Sequence, residues 1–129
     1  MTANNVTLSH NRAVGGAGNT AGFFAGDGAG GGLMNVSGTA TVSNSTIADN
    51  QVLGGPGGDG GNGRDALGGS LANLLGVTLT VSGSTLAGNR AGGGDGDVGG
   101  NAFGGGICND GPSTVPSNLA RIIHGPNNC

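Results

Sequence analysis

Apolar and polar residues alternate along this chain in short runs that return at a fixed interval. In the run TATVS, Ala40 and Val42 fall on one side of an extended chain, and Thr39, Thr41 and Ser43 fall on the other. The run TLTVS repeats the pattern, with Leu79 and Val81 on the apolar side and Thr78, Thr80 and Ser82 opposite. A second alternating word follows each run: STIADN from Ser45, with Ile47 apolar, and STLAGN from Ser84, with Leu86 apolar. A further copy, VTLSHN, begins at Val6 and carries Leu8. Leu8, Ile47 and Leu86 are 39 residues apart, as are Thr7, Thr46 and Thr85, and Asn11, Asn50 and Asn89. β-Branched residues bounded by Gly, Asn and Ser predict strands. No window pairs a 3.6-residue period with helix formers; LANLLG, from Leu71 to Gly76, comes nearest and is too short.

Glycine-rich blocks separate these words, at Gly15 to Gly32, Gly54 to Gly69 and Gly92 to Gly106. Each holds nine of the chain's 33 glycines. Each runs into a short apolar word, GGGLMN ending at Asn35, GGSLAN ending at Asn73 and GGGICN ending at Asn109. Short strands at one period, without hairpin turn chemistry, predict an all-β parallel solenoid of about three 39-residue coils. Equivalent residues then stack about 4.8 Å apart. The predicted core is Leu8, Leu33, Val42, Ile47, Leu71, Leu79, Val81, Leu86 and Ile107. Asn11, Asn50 and Asn89 are expected to form an amide ladder at a corner, where Asn tolerates left-handed backbone. Asn35, Asn73 and Asn109 form a second set. Two readings of the glycine blocks stay open. They are slack loops, or limbs in a polyproline II-like conformation, since GGPGGDGGNG has glycine in two of every three places and such helices pack side by side. Residues 1–129 read as a single domain. Residues 112–129, with three of the four prolines, read as a divergent C-terminal cap or tail.

The words GGGICND, TLTVSGSTLAGNRAGGG and ATVSNSTIADN resemble the glycine-rich repeats of right-handed parallel β-helix proteins. These are the pectin-lyase-like and polymorphic outer-membrane-protein-like repeats of bacterial surface and secreted proteins. The likeness covers residues 2–111, although Met34, Ala72 and Cys108 stand where many such repeats have Tyr. It implies a right-handed coil and an extracellular or cell-surface location. It implies no single activity, because the family includes adhesins, structural passengers and polysaccharide-cleaving enzymes.

Charge narrows the field. Seven Asp and four Arg, with no Lys or Glu, give a net charge of −3. Neutralising nucleic-acid phosphates needs clustered cations, so nucleic acid is not expected as a partner. No apolar run approaches the roughly 18 residues of a membrane span, and MTANNVTLSH shows no signal-peptide pattern. Polysaccharide cleavage needs clustered carboxylates. Here Asp27, Asp59, Asp65, Asp95 and Asp97 are spread over three blocks, and no Tyr or Trp is present to stack on a sugar. His10 and His124 have no Ser or Cys at a catalytic spacing, so no enzyme is expected. GPGGDG fits a dinucleotide-binding motif but opens no helix, and a phosphate-binding loop lacks its Lys. GGNGRDALG, Gly60 to Gly68, fits a calcium-binding nonapeptide, making Asp59 and Asp65 the calcium candidates, but it has no tandem neighbour nine residues away. No other cofactor is expected. A disulfide between Cys108 and Cys129 would close a loop of about twenty residues, stabilise by roughly 3 kcal/mol and point to an oxidising compartment.

Three functions follow as expectations. The leading one is an extracellular structural protein that stacks head to tail on its own copies into filaments, because an uncapped solenoid presents unpaired strands. The alternative is a fragment of a bacterial surface adhesin or glycan-binding β-helix passenger, with a glycan or surface as partner. The third is ice or mineral binding through the outward pairs Thr39/Thr41 and Thr78/Thr80.

Overall fold

A computed structural model describes residues 1–18 and 25–114. Cys129, His124 and most of the expected cap at 112–129 lie outside the described residues. Those described form sixteen short strands and no helix. Every pairing is parallel, and each strand pairs with its counterpart from a neighbouring coil rather than with its neighbour in sequence. The chain is therefore a parallel β-solenoid.

Five sheets result. The threonine sheet stacks β1 (Thr2–Asn4), β6 (Thr39–Ser43), β11 (Thr78–Ser82) and β16 (Ser113–Thr114). Beside it in sequence, a second sheet stacks β2 (Thr7–Ser9), β7 (Thr46–Ala48) and β12 (Thr85–Ala87). A third, the arginine sheet, stacks β3 (Arg12–Val14), β8 (Gln51–Leu53) and β13 (Arg90–Gly92). A fourth consists of two-residue strands, β4 (Gly28–Ala29), β9 (Ala66–Leu67) and β14 (Ala102–Phe103). The fifth stacks the apolar words β5 (Leu33–Asn35), β10 (Leu71–Asn73) and β15 (Ile107–Asn109). The third and fourth sheets were not legible as strands. They fall inside or beside stretches that read as turn and glycine block.

Register follows the repeat. Thr2 lies opposite Thr41 and Thr41 opposite Thr80, and Leu8, Ile47 and Leu86 line up likewise, all in steps of 39. After the glycine blocks the steps shorten, to 38 between Leu33 and Leu71 and to 36 between Leu71 and Ile107. One extra residue between Asn73 and Thr78, compared with Asn35 to Thr39, restores 39 in the next sheet. Length variation is thus absorbed in the loops, while strand register holds. A one-residue slip would turn each apolar face outward.

The core is a column of like on like. Val42, Ile47, Leu71, Leu79, Val81, Leu86 and Ile107 are buried, while Leu8 and Leu33 in the first turn are only partly covered. Val52 and Ala66 extend the buried set into the third and fourth sheets.

The corners differ from expectation in one respect. Positive φ falls on Asn5, Asn44 and Gly83 (56°, 50° and 53°), and on His10, Asp49 and Gly88 (58°, 54° and 64°), not on Asn11, Asn50 or Asn89. The left-handed residue turns the chain; in the second set the Asn after it lies outside that region, and its amide runs along the stack.

Candidate functional surfaces

Two asparagine ladders run along the solenoid. Asn11 donates from Nδ2 to Asn50 Oδ1 at 2.9 Å, and Asn50 does the same to Asn89 at 2.9 Å. Each Oδ1 also accepts the backbone N–H of the preceding rung. The second Asn50 N–H goes to Leu8 O, and Asn89 repeats that contact with Ile47 O. In the other ladder Asn35 donates to Asn73 and Asn73 to Asn109, both at 2.8 Å. Asn50 and Asn73 are fully buried, and their amides satisfy corner groups that would otherwise be buried without partners. Both ladders are polar: every Asn-to-Asn bond donates from the earlier coil to the later one, while the second N–H of Asn50 and of Asn89 reaches back to the earlier coil. Ser45 and Ser84 add a serine ladder beneath them, in which each hydroxyl accepts the N–H of the residue one coil earlier and donates to Ser43 O or Ser82 O. The 39-residue spacing of STIADN and STLAGN held the signal for it.

The glycine blocks pack as a layer. An outgoing limb and a returning limb of each block bond to each other and to the next coil. Gly26 N donates to Gly16 O, Gly55 N to Gly26 O, Arg64 N to Gly55 O, Gly94 N to Arg64 O and Gly100 N to Gly94 O. That zigzag crosses the layer through all three blocks. Outgoing limbs also stack on one another, Gly15 N and Gly18 N on Leu53 O and Pro56 O, then Gly54 N and Gly57 N on Gly92 O and Asp95 O. Bonds three residues apart suit a threefold helix. The limbs approach too closely for side chains. A Cβ on Gly15, Gly54 or Gly93 would stand 1.8, 1.8 or 1.9 Å from a carbonyl oxygen of the returning limb.

Outward from the threonine sheet, one file holds four threonines, Thr2, Thr41, Thr80 and Thr114, and a second holds Thr39 and Thr78. The neighbouring sheet adds Thr7, Thr46 and Thr85 in a third file. Sequence alone shows the two T-x-T pairs; Thr2 and Thr114 join them only through register.

The charged groups lie elsewhere. Arg12, Gln51 and Arg90 stack on the outer face of the arginine sheet, with Arg12 Nε 3.1 Å from Gln51 Oε1. Beside them an open groove of about 330 Å³ is lined by Arg12, Leu53, Pro56 and Asp95 among others. Asp27 accepts from Arg64 Nε at 3.1 Å and from Asp65 N, and Asp65 accepts from both the backbone and side-chain N–H of Asn101. The calcium candidate Asp65 thus spends its Oδ1 on Asn101, and Asp59 sits in an exposed turn. Among the described residues no three His, Cys, Asp or Glu side chains are grouped to hold a metal ion. Cys108 is buried and disulfide-bonded. No described helix is long and apolar enough to cross a membrane. Against known proteins, no family model, curated protein or solved structure matches this chain.

Proposed function

We propose that this protein is a non-enzymatic structural solenoid of the extracellular space or cell surface, whose partner is another copy of itself stacked head to tail. The reading takes the coil as right-handed, as the repeat's resemblance implies, with about 39 residues per coil and polyproline II-like glycine limbs. The observation that carries it is the polarity of the ladders. Asn50 uses its two N–H groups on Leu8 O and Asn89 Oδ1, and Asn89 uses one on Ile47 O; on the pattern of Asn50, its second would meet the Oδ1 of a following rung. Asn11 Oδ1 at the opposite edge is the matching acceptor. Five parallel sheets repeat the same complementarity in their backbone groups. A further coil, from this chain or another, therefore docks in one orientation only, and repeated docking gives an open filament.

Negative-stain electron microscopy across a concentration series tests this. Rods that lengthen with concentration are expected. Single short particles at every concentration, with no rods, would sink the proposal.

A further inference from the structure

We infer that the threonine face is an ice-binding surface. Of the nine threonines of the described residues, six (Thr2, Thr39, Thr41, Thr78, Thr80 and Thr114) occupy the threonine sheet and three lie around the corner on the sheet beside it, and none of the nine is buried. Chance placement would scatter them over five sheets. The backbone repeat fixes their lattice, about 4.8 Å between rungs and about 6.6 Å from Thr39 to Thr41 or from Thr78 to Thr80. Threonine has few χ1 states, so its methyl and hydroxyl hold their positions better than those of a flexible side chain.

Chemistry selects the occupant. The seven strands of these two sheets contain no Asp, Arg or His, whereas the arginine sheet and the glycine blocks carry charge. Ionic mineral surfaces require charge arrayed over the contact, and the strands of this face carry no charged side chain. Crystalline sugars are held largely on aromatic rings, and the chain has no Trp or Tyr. Ice is an uncharged lattice whose surface waters both donate and accept. A hydroxyl does both, and the adjacent methyl shelters the water it orders. Periodic presentation matters more than strength at any one site, because a crystal plane engages every rung at once. A single copy carries the array, so the inference stands apart from end-to-end stacking.

The test is thermal hysteresis and ice-affinity partitioning of the full chain, with far-UV circular dichroism as the folding control. The wild type is expected to hold a hysteresis gap and to enrich in the ice fraction. Thr41→Tyr with Thr80→Tyr should lose most of both. The more exposed pair Thr39→Tyr and Thr78→Tyr supplies a second disruption if the first fails to fold. Gln51→Tyr, on the arginine sheet, should match the wild type. A folded wild type that leaves ice growth unchanged overturns the inference, as does hysteresis unaffected by either threonine pair. Sedimentation showing copies joined through this face, without hysteresis, assigns the face to self-association and also overturns it.

Discussion

At the residue scale, like residues do unlike work depending on where the coil places them. Asn50 is 1% exposed and serves four hydrogen bonds, whereas Asn11 is exposed at the first rung. Asn50→Ala should therefore cost about 1–3 kcal/mol for each buried group left without a partner, and Asn11→Ala much less, as urea denaturation would show. Comparable losses for the two would mean that the ladder contributes little. The glycines divide in the same way. Gly54→Ala would press its Cβ to 1.8 Å from Arg64 O and split the limbs, a steric cost of at least about 1–3 kcal/mol. Gly16 has nothing within 4 Å of its would-be Cβ. Gly16→Ala should be neutral or stabilise by about 0.4–1 kcal/mol through the unfolded chain. Melting temperatures of the two variants check this; equal loss at both sites would contradict a packed layer. Sequence located both sets of residues through their spacing. It could not rank Gly16 against Gly54, because each stands in a glycine pair and only the returning limb distinguishes them.

At the element scale, pattern was readable where strands are half-buried and alternating. TATVS, TLTVS, STIADN and STLAGN carry alternation and β-branching, and their register came out as the spacing required. RAV and RAG share Arg-Ala but QVL breaks the likeness, and AL, AF and GA are two-residue strands with too few positions to show a period. Their pairing is dictated by neighbouring coils rather than by their own residues. Among the described residues, one buried side-chain group has no hydrogen-bond partner. Ser70, at the entry to β10, is fully buried with its hydroxyl unpaired, in a position filled by Gly32 and Gly106 in the adjacent coils. Burying a hydroxyl without a partner costs free energy that a methyl does not. Ser70→Ala should leave stability unchanged or raise it by about 1 kcal/mol, read from denaturant midpoints. A clear loss would reveal a partner for the hydroxyl.

At the scale of the whole molecule, a solenoid's coils touch only their neighbours, so stability is a sum of coil and interface terms and varies along the axis. The first rung is the thin one. Leu8 and Leu33 are partly covered and Asn11 is exposed, while Ile47, Leu71, Leu86 and Asn50 are sealed. Amide hydrogen exchange at low protein concentration should thus be fast in β2 and β3 and slow in β7, β8, β10 and β11. That gradient gives the stacking proposal a second, independent readout. If a neighbour's last coil docks on the first, the exposed edge of β2 and β3 becomes an interior pairing, and the partly covered Leu8 gains the contacts that Ile47 already has. Exchange in β2 and β3 should then slow as concentration rises, while β7 and β8, already paired on both sides, change little. Slowing spread evenly over all coils would point to non-specific association. Slowing confined to the threonine strands β6 and β11 would point to sideways pairing. Only protection gained at the first rung is consistent with growth along the axis, and it would identify the docking edge strand by strand.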